Sequence, residues 1–192
     1  MDKLTHDDLY TLEAYARERP AFRARVLAHK QPRTVAVGAH VTLVFEDRLT
    51  IQYQIQEMLR VERVFEPAGI ADELAAYNPL IPDGRNLKAT MLIEFPDPEE
   101  RARKLADLHG IEHRVTLHAG GGTSTVIADE DMERSNDAKT SAVHFLRFEL
   151  GAAAIAAFRA GEAVELSIDH PNYAARVALA PATRSALAAD FD

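Results

Sequence analysis

The stretch Tyr77-Asn-Pro-Leu-Ile-Pro-Asp-Gly-Arg-Asn-Leu-Lys-Ala-Thr-Met-Leu-Ile-Glu-Phe95 joins a proline-stiffened loop to a strand around which the rest of the chain is organised. Two prolines restrict this loop, because the pyrrolidine ring fixes the backbone φ angle. From Leu87 onward, apolar residues alternate with residues such as Lys88 and Thr90. This period of two is typical of a half-buried β-strand. The predicted buried face comprises Leu87, Ala89, Met91, Ile93 and Phe95.

Outward from this strand, helices and hairpins follow one another without a regular strand–helix–strand rhythm. Two N-terminal helices are predicted, at about residues 5–16 and 20–30, with Pro20 in the first turn of the second helix. We therefore expect an α+β fold with a mainly antiparallel sheet, packed helices and an N-terminal helical pair. A single domain is predicted for residues 1–180, followed by a flexible or helical tail at 181–192.

Composition excludes several classes of function. The chain has 192 residues and a net charge of −8, which argues against a basic nucleic-acid-binding surface. It has no cysteine, so thiolate catalysis, disulfides and cysteine-ligated metals are excluded. We expect a cytoplasmic protein with no membrane span, because no apolar run approaches the roughly 18 residues that a span requires.

The segment at residues 49–66 has the strongest helical pattern. At about 100° per residue, its apolar residues share one face, and Glu62 falls in the middle of that face with Gln54 near its edge. A carboxylate in an apolar environment is costly unless it is paired. We therefore predict that Glu62 points inward toward a buried cationic or hydrogen-bonding partner, while Glu57, Arg60 and Arg63 are solvated.

His144 lies on the apolar face of a predicted strand at residues 141–150, between Ala142 and Leu146. One interpretation is a neutral core histidine with a single hydrogen bond. The other is a proton carrier or iron ligand beside Glu62, because imidazole and carboxylate suit a non-thiol iron site or an acid–base pair.

Asp83, Arg85, Asn86 and Lys88 form a polar group at the central loop that could bind a carboxylate or a phosphate. Arginine suits either anion, because its planar guanidinium can donate two parallel hydrogen bonds. Alternatively, Asp83-Gly84 is a turn and Arg85 pairs with an acidic neighbour. The candidate catalytic residues are then Glu62, His144 and Arg85. The candidate substrate-binding residues are Gln54, Asp83, Asn86 and Lys88.

Two further motifs have ordinary structural interpretations. Gly120-Gly121-Gly122 lacks the lysine and the helix of a phosphate-binding loop, so a hairpin turn is predicted. The run Asp129-Glu130-Asp131 with Glu133 lacks calcium-loop spacing, so a solvated acidic face is favoured over a cation site. No metal ligand is assigned.

Three stretches of the chain, at residues 53–62, 77–90 and 127–150, resemble the signature runs of a bacterial family known as domain of unknown function 3501. The resemblance extends from about residue 3 to residue 179 and is silent about the tail. That family carries no assigned activity or catalytic residues. Its genes often lie beside those for rubrerythrin-like di-iron proteins and iron–sulfur oxidoreductases, so the resemblance implies a redox or peroxide-stress context.

Two functional hypotheses follow. In the first, the protein is a non-catalytic accessory that works with a rubrerythrin-like di-iron protein and an iron–sulfur redox protein. In the second, it is a small-molecule enzyme or binder whose polar or non-thiol metal site contains Glu62, His144 and Arg85. Neither hypothesis specifies a cofactor or an oligomeric state.

Overall fold

The computed structural model describes residues 1–130, 134–136 and 139–192 and confirms the predicted α+β class. The helices are α1 (Leu12–Lys30), α2 (Arg48–Glu62), α3 (Pro67–Tyr77), α4 (Pro98–Asp107), α5 (Ala152–Ala160) and α6 (Pro181–Ala188). The strands are β1 (Thr34–Ala36), β2 (Val41–Glu46), β3 (Asn86–Ile93), β4 (Val115–Ala119), β5 (Gly122–Thr125), β6 (Ile127–Ala128), β7 (Val143–Glu149), β8 (Glu165–His170) and β9 (Tyr173–Ala178).

The strands form two antiparallel sheets. The first has the order β1-β2-β3-β7-β6 and the second the order β5-β4-β8-β9. Strand β3 is the central strand of the first sheet, and the alternation predicted for it is confirmed, because all five residues of the predicted face are buried. They join a core to which both sheets contribute, for example through Phe45 and Leu117. Each fully buried large side chain stabilises the fold by about 1.5–3 kcal/mol.

The N-terminal helices form separate apolar clusters. Helix α2 contributes Ile51, Ile55 and Leu59 to one cluster, which also includes Ile81 from the loop before β3. Helix α1 contributes Tyr15, Phe22 and Val26 to another. Residues from α1, α2 and the loop before β3 also line a cleft against the face of the first sheet that points away from the main core.

The predicted break between two N-terminal helices is absent. Helix α1 runs without interruption through Pro20, although a proline inside a helix costs about 3 kcal/mol. Tyr15 precedes Pro20 and Phe22 follows it, and both are buried in the same cluster. Burial on both sides of the proline offsets the lost backbone hydrogen bond, so tertiary packing overrides the local signal.

Helix α2 ends at Glu62, four residues earlier than predicted. Arg63 adopts the left-handed conformation (φ 57°, ψ 39°), and the Val64 N–H donates to the Leu59 carbonyl at 2.9 Å. Val64 also packs against the α2 cluster that contains Leu59. This folding back of Val64 stops the helix before Phe65 can join its apolar face.

The three glycines form the predicted hairpin turn. Gly120 (φ 59°) and Gly121 (φ 72°) connect β4 to β5, a pair of positive φ angles typical of a tight hairpin turn. A Cβ atom at Gly120 would lie 2.4 Å from the Ala153 carbonyl oxygen, so α5 also requires glycine there. The chain after this turn is divided between the sheets: β5 stays in the second sheet, and β6 joins β7 in the first.

The tail at residues 181–192 contains α6, and both polar and apolar contacts hold it against the rest of the protein. The Arg33 guanidinium, which is 3% exposed, donates two hydrogen bonds to the carboxylate of Asp190, at 2.9 and 2.5 Å. Phe191 packs edge-on against Phe158 at 5.3 Å between ring centroids. The end of the chain is therefore attached to the segment that follows α1 and to α5.

Candidate functional site

His144 lies on β7 and has no exposed surface, so the imidazole is enclosed by protein. Its Nδ1 atom lies 2.6 Å from Asp129 Oδ2. Its Nε2 atom lies 2.8 Å from the Thr140 hydroxyl and 3.0 Å from the Ser141 carbonyl oxygen. Because a carbonyl oxygen can only accept, the bond to Ser141 places a proton on Nε2. The histidine thus makes more than the single hydrogen bond expected of a simple core residue.

Thr140 connects this ring to a second carboxylate. Its hydroxyl donates to Glu112 Oε2 at 2.9 Å, and the Ser135 hydroxyl donates to Glu112 Oε1 at 2.5 Å. Burial alone would raise the pKa of Glu112, but the bonds from Ser135 and Thr140, together with nearby His144, hold that pKa below its ordinary value. We call the chain Asp129–His144–Thr140–Glu112 the buried relay.

Asp129 is fixed in the buried relay by its backbone as well as its side chain. Its N–H donates to the Phe145 carbonyl at 2.8 Å, and its Oδ1 accepts from the Phe145 N–H at 2.9 Å. Its φ of 50° is unusual for a residue other than glycine, although aspartate tolerates it better than most. The short pairing of β6 with β7 delivers Asp129 to this position directly after Ala128.

Three relay residues, Glu112, Asp129 and His144, each offer a potential metal ligand within 4.8 Å of the others. In the observed arrangement, however, His144 and Asp129 are hydrogen-bonded to each other, and Glu112 accepts from the hydroxyl groups of Ser135 and Thr140. The 2.6 Å separation of His144 from Asp129 is a direct hydrogen bond, and a bound metal would have to displace its proton.

The predicted meeting of Glu62 with His144 is wrong. Glu62 is exposed at the last residue of α2, while the carboxylates beside the His144 ring are Asp129 and Glu112. The reason is the early end of α2, which leaves no layer of protein over Glu62. Apolar Phe65, predicted on the same face, is 70% exposed as well.

The carboxylate of α2 that does have a cationic partner is Glu57, which was predicted to be solvated. Arg19 donates to both of its oxygens at 2.8 Å, and the buried Tyr15 hydroxyl donates to Oε1 at 2.7 Å. Hydrogen bonds from Arg19 lower the pKa of Glu57 to about 2, with smaller contributions from Tyr15 and Arg60. Helix α1 covers the face of α2 that carries Glu57, and no pattern within α2 alone predicts that position of α1.

The polar residues of the central loop organise the turn before β3. Asp83 and Arg85 are exposed, and the Arg85 N–H donates to Asp83 Oδ1 at 2.9 Å. Buried Asn86 accepts from the Asp83 N–H and donates to Glu149 Oε1, both at 3.2 Å. Arg85 is therefore at the surface and does not join His144 in an enclosed site. The turn part of the alternative agrees with this arrangement, whereas the described residues show no ion pair of the Arg85 guanidinium with an acidic neighbour.

Lys88 and the acidic run meet on the outer face of the first sheet. Lys88 is half-buried, and burial lowers the pKa of its ammonium group. It lines a small pocket with Glu130 and Arg147, whose side chains form two hydrogen bonds at 2.5 and 2.6 Å. The Asp129 side chain is enclosed, contrary to the predicted solvated face, whereas Glu130 is exposed as predicted although it pairs with Arg147. Asp131 and Glu133 lie outside the described residues.

Gln54 lines a cleft of about 290 Å³ between α2 and the outer face of the first sheet. We call it the Glu46 cleft, after a carboxylate that is only 7% exposed. Its other polar residues are Lys30, Tyr77 and Thr90, and its apolar walls are Val44, Ile51, Leu80, Leu92, Val143 and Phe145. Sequence reasoning missed Glu46, although alternation along β2 would have placed it beside Val44 on the face opposite Phe45.

These features define an α+β protein with two antiparallel sheets and a helical layer formed by α1, α2 and α3. The protein also contains the buried relay and, separately, the Glu46 cleft. Within the described residues, no helix is both long enough and apolar enough to cross a bilayer.

The chain belongs to the family described as "Protein of unknown function (DUF3501)", whose model matches residues 3–191. It is similar to a solved protein of unknown function from Burkholderia pseudomallei K96243, determined at 1.90 Å resolution. The two chains share 50% identity with a TM-score of 0.94, over 100% of each chain. No curated protein matches the sequence. The match includes most of the C-terminal tail, about which the sequence resemblance was silent.

Proposed function

We propose that this is a bacterial, cytoplasmic, non-catalytic accessory protein of a redox or peroxide-stress pathway. It would dock a rubrerythrin-like di-iron protein that works with an iron–sulfur oxidoreductase. The pathway rests on the family resemblance, and the docking role is supported by the surface of the helical layer. The absence of cysteine agrees with a role in which the partner carries the electrons.

The predicted catalytic residues give little support to chemistry at a shared site. Glu62 and Arg85 are exposed on different elements, whereas His144 is 0% exposed and Thr140 1%. A general base must reach the proton that it abstracts, directly or through one water. Because the buried relay is enclosed, we propose that its role is to hold β6 against β7. The catalytic roles of Glu62, His144 and Arg85 remain predictions.

The observation that carries the docking proposal is an exposed apolar surface at the end of α2. Val61 is 61% exposed and Phe65 is 70% exposed, both unusually high for large apolar residues. Phe65 borders a groove of about 300 Å³, which is also lined by Tyr10 from the segment before α1 and by Leu59 from α2. An apolar side chain beside an apolar groove is typical of a protein-interaction surface.

The proposal is tested by measuring binding between the purified protein and the rubrerythrin-like protein encoded in the same genome, using titration calorimetry. We expect Phe65→Asp to weaken binding at least tenfold, because it places a charge beside the apolar groove. Leu27→Asp is the matched control, since Leu27 is a large apolar residue on α1 that is 48% exposed.

Circular dichroism should show that both variants keep the wild-type fold. Absence of a complex at micromolar concentrations would reject the partner, and equal weakening by the two substitutions would reject the surface.

The second hypothesis, small-molecule binding, is favoured by one specific observation, the Glu46 cleft. This cleft lies at a different place from the predicted site of Glu62, His144 and Arg85.

A further inference from the structure

We infer that the Glu46 cleft binds a small organic amine whose ammonium group contacts Glu46 and whose apolar body lies against the first sheet. This inference is independent of the docking proposal, because the cleft and the exposed Phe65 groove have different linings. It also replaces the predicted pairing of Glu62 with His144, because the residues invoked here line a single cleft.

Glu46 is the group that points to a ligand. Its side chain is 7% exposed, and its Oε1 atom accepts a 2.6 Å hydrogen bond from the Thr90 hydroxyl. Among the residues that the structure describes, none donates a hydrogen bond to the other oxygen, Oε2. Because Oε2 is not fully enclosed, it is accessible to a ligand in the cleft, and a donor there would give this mostly buried carboxylate a second hydrogen bond.

The neighbouring cations leave this carboxylate available. Arg33 is close enough to interact electrostatically with Glu46, but its hydrogen bonds go to Asp190 and the Ala186 carbonyl. Lys88 is opposite Glu46 in the β2–β3 register and lines a different pocket. Lys30 lines the cleft without forming an ion pair with Glu46 in the described chain. A cationic ligand would therefore complete the charge pairing of Glu46.

The remaining walls determine the rest of the ligand. Leu92 and Phe145 extend from neighbouring strands of the first sheet, and Ile51 and Leu80 face the cleft from the helical side. Val143, which also lines the cleft, is 37% exposed, so this part of the wall lies at the protein surface. A volume of about 290 Å³ with mainly apolar walls and a few polar groups is at the small end of ligand-binding cavities. It suits a compact amine with an aromatic or branched apolar body.

The test uses 2-phenylethylamine as the probe and 3-phenylpropionate as its anionic counterpart. In two-dimensional NMR titrations of the whole protein, we expect 2-phenylethylamine to shift the amide signals of Ile51, Leu92 and Phe145, with a dissociation constant of roughly millimolar. The propionate should bind at least tenfold more weakly, because its charge repels Glu46. This comparison needs only the wild-type protein, so it does not depend on the folding of any variant.

Two substitutions then locate the charge. Glu46→Gln should weaken binding of 2-phenylethylamine at least tenfold, whereas Glu62→Gln, which removes an exposed carboxylate of α2, should leave it unchanged. Phe65→Asp should also leave it unchanged, which separates this result from the docking experiment. Shifts scattered over the surface, equal binding of the two probes, or an undiminished affinity of a folded Glu46→Gln variant would overturn the inference.

Discussion

At the scale of single residues, burial and partners decide what each charged or titratable group can do. His144 was identified from its place on an apolar strand face, and it is indeed the most enclosed titratable residue of the buried relay. Its partners Asp129, Thr140 and Glu112 come from three other positions in the chain. Alternation along β7 indicates burial of the histidine, but it carries no information about which groups complete its hydrogen bonds.

Glu57 gives a pH-dependent prediction at this scale. Its pKa falls from an ordinary value of 4.5 to about 2 in the folded protein. A depressed carboxyl pKa stabilises the fold above the unfolded value and ceases to do so as the pH falls through the folded value. Glu57→Gln should therefore reduce the free energy of unfolding by about 1–2 kcal/mol at pH 7, after allowance for solvent screening. The difference from wild type should shrink between about pH 4.5 and pH 2.

Urea unfolding of both proteins at a series of pH values provides the measurement. Glu13→Gln serves as a control, because Glu13 forms an exposed pair with Arg17 on α1 and should change stability little. A wild-type advantage over Glu57→Gln that persists unchanged to pH 2 would contradict the assigned pKa.

At the scale of secondary-structure elements, packing overrides local signals at both ends of the helical layer. The pattern at residues 49–66 predicts the helix but not its end, because the left-handed Arg63 depends on Val64 packing back against the α2 cluster. Pro20 marks a helix start by local rules, yet apolar contacts on both sides of it keep α1 continuous. Strand β3 is predicted correctly because alternation and tertiary burial agree there.

Arg63 gives the prediction at this scale. A non-glycine residue in the left-handed region costs about 1–2 kcal/mol, and glycine adopts that region without a Cβ clash. After the greater freedom of glycine in the unfolded chain is subtracted, Arg63→Gly should raise the free energy of unfolding by about 0.5–1 kcal/mol. Arg23→Gly, at an exposed position inside α1, should instead lower it by about 1 kcal/mol. Urea unfolding at neutral pH measures both changes, and a loss of stability in Arg63→Gly would refute the explanation of the helix end.

At the scale of the whole molecule, the C-terminal tail connects distant parts of the chain. Asp190 follows α6 and pairs with Arg33, which lies between α1 and β1. Arg33 also lies 3.2 Å from Asp47, the residue that caps α2. Leu187 and Phe191 extend the main apolar core. The tail is thus an integral part of the packing, and the family match includes most of it.

Asp190→Ala is the corresponding prediction. Removing one partner of a buried ion pair leaves the other charge uncompensated, which typically costs 3–5 kcal/mol. Because Asp47 still neighbours Arg33, we expect a loss of about 3 kcal/mol in the free energy of unfolding. The control is Asp169→Ala, which removes an exposed aspartate from β8. Chemical denaturation compares the two, and a cost below about 1 kcal/mol for Asp190→Ala would mean that the pair does not hold the tail.

The amino-acid sequence by itself determined the α+β class, the buried face of β3, the glycine hairpin and the burial of His144. Each of these follows from the local period of apolar residues or from the backbone conformations that a residue type allows. Only the tertiary structure decided which carboxylates pair, where α2 stops, and that Glu46 rather than Glu62 faces a cleft. Those outcomes depend on residues far apart in the chain coming together, and a pattern read along one segment contains no information about what covers it.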